Sequence, residues 1–265
     1  MARRMTLFLL MALIAVVMLY PISFMVQTSL RSDEQYRTGA GYSLGSWRAL
    51  FATLPVADLM LNSTLVCVSA LLLILVVSVP AGFAFAKLSY PGSAVLLTAI
   101  IACAMVPVQS LVLPEFANLA RIGLVNNYLG AILVYAALGT PFATFLMTVY
   151  FRALPDELLE AGVIDGLGYG QIFLRIGVPL SLPAVATVVV LQFIQIWCDL
   201  LVGLLFLQTP ELRTITTGLG VLASGRVTDV PVLMAGATLS AVPAVLAYLL
   251  LQRFLVRGLT VGVSK

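Results

Sequence analysis

Six stretches of this chain are too apolar, over too many residues, for water to be their solvent. They run over residues 6–26, 63–86, 93–113, 128–151, 180–207 and 231–256. Each reaches about the 20 residues that a helix rising about 1.5 Å per residue needs to cross a hydrocarbon core of about 30 Å. A backbone in lipid has no water to satisfy its N–H and C=O groups, so each run must close its hydrogen bonds within itself. The predicted architecture is an all-α membrane protein with six transmembrane helices.

Composition supports that reading and removes several functions. The chain is 62% hydrophobic and 9% charged, with a mean hydropathy of +1.11, which is outside the range of ordinary soluble domains. A net charge of +3, dispersed among spans, forms no basic surface for nucleic acid. There is no His, which removes imidazole metal sites and His-dependent nucleophilic triads. Cys67, Cys103 and Cys198 are isolated in apolar segments, so neither a disulfide framework nor a zinc site is expected. The two lysines, Lys87 and Lys265, follow no glycine-rich loop, so the chain has no P-loop and any ATP chemistry must come from a partner. Residues 1–265 show no repeat and leave no room for a soluble domain, so they read as one transmembrane domain.

Charge sets the orientation. The first run follows Ala2-Arg3-Arg4 and is as long as a span needs; no A-x-A cleavage site follows it, so it reads as an uncleaved first helix. With the N-terminus inside, Arg3, Arg4, Lys87, Arg152, Arg175, Arg253, Arg257 and Lys265 lie inside, eight basic residues against six outside. Three of the outer six, Arg31, Arg37 and Arg48, share one long loop with Asp33, Glu34 and Asp58, whereas the inner ones cluster at span ends. The expected topology is N-in and C-in.

The inner segment over residues 152–179 is the most specific part of the chain. From Pro155 to Asp165 it has the marks of a short helix, with Pro155 at the first position, Asp156, Glu157 and Glu160 towards the positive end of the dipole, and Gly166 as the stop. Leu158, Leu159, Gly162 and Val163 recur at helical spacing, so this helix is amphipathic. At about 11 residues it is far too short to span a bilayer, so it lies on something.

Glu160-Ala161-Gly162, then Gly166 and the Ile176-Gly177-Val178-Pro179 run, resemble the EAA loop of binding-protein-dependent ABC importer permeases, E-A-A, three residues, G, nine residues, I-x-L-P. The departures are Gly162 for Ala, which should only loosen the helix by about 1 kcal/mol, and Val178 for Leu. The likeness extends from about Asn62 to Thr217. It includes Asn62-Ser63, the Lys87-Leu88-Ser89-Tyr90-Pro91-Gly92 turn, Met105-Val106-Pro107 as a break in the third span, Ile122 to Tyr128, Pro141-Phe142, and Phe151-Arg152 with Leu154-Pro155. By pattern the chain is similar to the second permease subunits of maltose-like sugar importers.

That resemblance implies a non-catalytic subunit of the bacterial cytoplasmic (inner) membrane. It implies a heterodimer with a second permease, two ABC ATPase subunits that bind ATP and Mg while this chain holds no cofactor, and an extracytoplasmic solute-binding protein. Coupling to the ATPase would fall to Glu160, Ala161, Gly162, Asp165, Gly166, Ile176 and Pro179.

The fifth run carries the polar groups that need a reason to be in a membrane. Gln192, Gln195 and Asp199 are three and four residues apart, which in a continuous helix puts them on one face, with Trp197 beside it. The face either lines a translocation path, where amides and an indole suit a sugar, or bonds to the partner permease while Asp199 is solvated near the outer interface. The stretch resembles a W-N-D/E motif of the family, with Cys198 in the Asn position. Pro107, Pro141, Gly130 and Gly139 read as packing and kinking residues.

Two other functions compete. An ion-coupled secondary transporter needs ionisable groups within the membrane, and only Asp199 qualifies. A membrane enzyme needs clustered polar catalytic groups, and none is visible. For the solute, a sugar is expected over a glycerol phosphate, because no basic residue lies inside the spans to meet a phosphate.

Overall fold

The computed structural model describes residues 2–225 and 229–260, and the described residues form helices and turns with no strand. Lys265, one of the residues placed inside by charge, lies outside them, as does Arg226. Among the described residues, five helices are long and apolar enough to cross a membrane, and a sixth span results if one sharply bent pair is counted as a unit.

Helix α1 (Ala2–Ser29) is largely exposed apolar surface, with Thr28 and Ser29 of its last turn buried, and it packs against α13 (Val230–Thr260). Helix α2 (Asp33–Thr38) starts at a capping box, in which Gln35 N donates to Ser32 Oγ and Ser32 N donates to Gln35 Oε1. Helix α3 (Gly45–Thr53) follows. Ser43 N donates to Leu30 O at 2.8 Å and the Ser46 hydroxyl donates to Arg31 O, which folds this segment back onto the end of α1.

Helices α4 (Val56–Lys87) and α7 (Tyr128–Ala153) form the central pair and share the most extensive contact in the fold. Small residues permit it: a Cβ on Gly82 would lie 2.5 Å from Met147 Cβ and 3.0 Å from the Met147 carbonyl carbon. Helix α10 (Val178–Trp197) packs against both, and α13 closes the bundle on the outside of α10. Phe151, Met147, Ile74, Val188 and Ala235 lie in one continuous buried core.

The expected third span is broken. Helices α5 (Ser93–Ala104) and α6 (Val108–Arg121) meet at 96° across Met105–Pro107. Pro107 biases Val106 out of the helical region, so the first helix ends there. At 12 residues, α5 is about 18 Å long and crosses nothing by itself.

The fifth run also differs from its expected bounds. It begins earlier, in a continuous helical path from Tyr169, and ends at Trp197 instead of Leu207. The residues beyond fold into a short α11 (Leu201–Phe206), a 3₁₀ turn (Pro210–Leu212) and α12 (Ile215–Ala223). These are stitched to the starts of α4 and α7. Asn62 Nδ2 donates to Glu211 O at 2.7 Å and Arg213 O at 3.0 Å, Tyr128 Oη donates to Asn62 Oδ1 at 2.7 Å, Ile215 N donates to Ser63 Oγ at 2.8 Å, and Thr209 N donates to Asn126 Oδ1 at 2.9 Å. The Asn62-Ser63 and Asn126 to Tyr128 motifs thus meet at one end of the bundle.

A candidate coupling helix and a candidate solute path

Helix α8 (Glu157–Ile164) forms where the sequence predicts a short inner helix, starting two residues later than expected. Pro155 lies in the link from α7, and the first turn closes on the Asp156 carbonyl, which accepts from Leu159 N at 2.9 Å and Glu160 N at 3.0 Å. Gly166 ends the helix at φ +78°, with Leu167 N donating to Gly162 O and Gly166 N to Val163 O, both at 3.0 Å. This is a Schellman stop, which satisfies two otherwise orphan carbonyls and needs the left-handed conformation that glycine adopts without strain.

One face of α8 is pressed against its own chain. Gly162 is buried, and a Cβ there would lie 3.1 Å from Ile176 Cδ1 and 3.2 Å from Ile172 Cγ1. Glycine at this position is therefore more than a loosened helix, because it lets α8 sit directly on the segment that follows. That segment is α9 (Tyr169–Ile172) and a π-helical turn (Phe173–Gly177) leading into Pro179 and α10. Phe173 packs on Phe83 of α4 with ring centroids 5.2 Å apart, and Phe83 meets Phe151 of α7 edge-on at 5.4 Å. Residues in contact with α8 are thus continuous with the core of the bundle.

The other face is open. Glu160, Ala161 and Asp165 are exposed, together with Leu158, Val163 and Ile164, the last at 85%. Beside them lies a groove of about 370 Å³ lined by Lys87, Asp156, Leu159, Glu160, Val163, Ile164 and Tyr169. Of the expected coupling residues, Glu160, Ala161 and Asp165 lie on the open side, while Gly162 and Ile176 face the packed side. Gly166 shapes the turn, and Pro179 is exposed at the foot of α10. Sequence reasoning missed Ile164 as the most exposed apolar group of α8. It also missed Lys87, whose Nζ donates to Leu154 O and to Asp156 Oδ1, each at 2.6 Å. That it is the one lysine among residues 2–260 is the signal that could have drawn attention to it.

The four polar or aromatic residues of the fifth run do not share one face. Gln192 is buried, with Nε2 3.5 Å from Gly139 O on α7. Trp197 is 4% exposed, donates Nε1–H to Ser240 O on α13 at 2.9 Å and stacks on Phe193 at 5.2 Å. Asp199 lies beyond the end of α10, so helical spacing from Gln195 does not reach it. Gln195 remains exposed on the helix surface. For Asp199 the reason is the break after Trp197, across which the spacing argument assumed continuous helix, whereas Gln192 and Gln195 both lie within α10 and differ because Gln192 turns onto α7.

Residues 78–261 match the model of a family described as "binding-protein-dependent transport system inner membrane component". The chain belongs to this family. The match includes α8 and α10, so both candidate sites lie within the shared region. The protein is a multi-pass inner-membrane permease of the ABC importer type.

Among relatives, the osmoprotective compounds uptake permease protein GgtD of Synechocystis is 33% identical over 84% of this chain and 76% of its own length. The trehalose transport system permease protein SugB of Mycobacterium tuberculosis is 29% identical over 93% of this chain and 92% of its own. The diacetylchitobiose uptake system permease protein NgcG of Streptomyces coelicolor is 27% identical over 96% of this chain and 86% of its own. The crystal structure of a bacterial ABC transporter that imports the acidic polysaccharide alginate contains a chain that superposes with a TM-score of 0.81. It is 21% identical and covers 95% of this permease and 96% of that chain, a likeness of fold.

Proposed function

We propose that this permease forms half of the translocation path of an ATP-driven importer for a sugar or oligosaccharide. A second permease forms the other half, two ABC ATPase subunits dock on α8 and its partner equivalent, and an extracytoplasmic solute-binding protein delivers the solute. The observation that carries the reading is the open face of α8. A short helix that leaves Leu158, Val163 and Ile164 exposed beside the carboxylate of Glu160, while its other face is anchored to the bundle, is built to be covered by another protein. Lys87, Arg152 and Arg175 lie at the same end of the bundle, which supports a cytoplasmic position for α8, six spans with the bent α5–α6 pair counted as one, and the N-in, C-in topology.

The sugar assignment rests on the relatives named for trehalose transport and diacetylchitobiose uptake. The path assignment rests on Gln195, whose exposed amide on a transmembrane helix is best satisfied by a water-filled route or by the second permease.

Replacing Ile164 with Glu, or Glu160 with Lys, is expected to strip the ATPase from the detergent-extracted complex while the permease still inserts. Co-purification at the wild-type ratio with both variants would refute the docking assignment.

A further inference from the structure

Lys87 ends α4, and its side chain is folded inward instead of reaching into water: it is 5% exposed, against 76% for its partner Asp156. Its ammonium donates to two acceptors at 2.6 Å, the carbonyl of Leu154, the residue that follows α7, and the carboxylate of Asp156, the residue that precedes α8. One cation therefore binds the foot of α4 to both ends of the link over residues 154–156 that joins α7 to α8. A buried ammonium must find acceptors, and here both are drawn from the backbone and side chains of that link.

The two bonds are not equivalent. Asp156 is largely in solvent, where the attraction between charges is screened and weak. The carbonyl bond is made on the more protected side, and without Lys87 the Leu154 carbonyl, at the start of the link out of α7, loses this partner. Removing the lysine should therefore do more than removing the carboxylate. On the far side of α8, Gly162 sits on Ile172 and Ile176. The helix is thus held at two separate places, to α4 and α7 by the cation and to the start of α10 by close packing.

We propose that Lys87 is a positioning residue for coupling: it makes α8 and the feet of α4 and α7 one rigid unit, so that a displacement imposed on α8 is delivered to the central helix pair. This rests on α8 being the surface an ATPase contacts. Because Leu158, Val163 and Ile164 belong to α8 itself, loss of the tether leaves that surface intact and alters what its movement does.

The test uses the assembled permease–ATPase complex in nanodiscs, with Cys67, Cys103 and Cys198 replaced by Ser. Spin labels at Ser89→Cys and Glu157→Cys, both exposed positions, report the distance between the α4 turn and α8. With Lys87 in place the distribution is narrow and the same with and without ATP and Mg. In Lys87→Met it broadens at least twofold, in Lys87→Arg and Asp156→Asn it stays close to the parent. In parallel, the ATP-induced change in labelling of Gln195→Cys by a hydrophilic maleimide falls at least threefold in Lys87→Met and is kept in Lys87→Arg. A Lys87→Met complex with the parent distribution, or with undiminished ATP-induced labelling, overturns the proposal. So does loss of the ATPase from that complex, which would make Lys87 part of the docking surface. Retention of the ATPase by Ile164→Glu and Glu160→Lys refutes the docking reading separately, whatever Lys87→Met does.

Discussion

Tyr135 on α7 donates its phenolic O–H to Asp199 Oδ1 at 2.9 Å, and the same oxygen accepts the Val202 N–H at 2.8 Å. The carboxylate thus starts α11 and fixes the chain where it leaves α10. A side chain oxygen accepting a backbone N–H three residues on is worth about 0.5–2 kcal/mol at a helix start. Tyr135 is buried, so loss of the acceptor also strands its hydroxyl, at about 1–3 kcal/mol. Asp199→Leu is expected to lower the melting temperature of the purified permease clearly, Asp199→Asn much less, and Tyr135→Phe to remove most of the difference between them. A double-mutant cycle on thermal unfolding in detergent measures this, and additive effects of Asp199→Leu and Tyr135→Phe would show the contact carries no stability.

Two glycines on α7 are tight for different reasons, and the difference is measurable. A Cβ on Gly130 would lie 1.9 Å from the Leu124 carbonyl oxygen, which is backbone and cannot step aside. A Cβ on Gly139 would meet Gln192 Oε1 and Ile74 Cδ1, each at 2.6 Å, and both are side-chain ends that can turn away at some cost in packing. Overpacking of a filled core costs about 1–3 kcal/mol. Gly139→Ala is expected to fall in that range and Gly130→Ala above it, with lower yields of folded protein. Equal behaviour in a thermal-shift series would contradict the packing described for the Leu124 turn.

Much of this was legible in the sequence because its causes are local. The Gly166 stop was readable since a helix that ends in a left-handed residue selects glycine, and the break at Pro107 since proline constrains the residue before it. The end of α10 was not readable: Leu201–Phe206 is as apolar as the helix before it, and what separates them is a tertiary contact from Tyr135 to Asp199, 64 residues apart in sequence. The same holds for Gly162, whose helix propensity is local but whose packing on Ile172 and Ile176 is not, and for Trp197, whose indole found Ser240 across the bundle.

Topology follows from the placement of α8. If the α8 end is cytoplasmic, the Asn62–Tyr128–Glu211 cluster at the opposite end faces outward, as does α2. A reporter active only outside the cytoplasm is expected to be active when fused near Tyr36 or Glu211 and silent near Gly168 or after Lys265. The reverse pattern would put α8 where no cytoplasmic ATPase reaches it.

Gln192 and Gln195 are neighbours in sequence with opposite surroundings, and that separates packing from path. Gln192 fills the space that Gly139 leaves on α7, so its amide is spent inside this chain and a cysteine in its place would be shielded. Gln195 is exposed and sits on a helix whose neighbours are apolar, so in lipid its amide would go unsatisfied, at several kcal/mol on scales that allow no compensating hydrogen bond. Pairing with the proposed second permease removes that cost only if Gln195 faces water or a polar partner group. In a background with Cys67, Cys103 and Cys198 replaced by Ser, Gln195→Cys is expected to react with a small hydrophilic maleimide at least tenfold faster than Gln192→Cys, and at a rate that changes on addition of ATP and Mg. Gln195→Leu is expected to alter transport rate or solute preference with assembly unchanged. Protection of Gln195→Cys in every nucleotide state, together with normal transport by Gln195→Leu, would assign the residue to the permease–permease contact and move the path elsewhere.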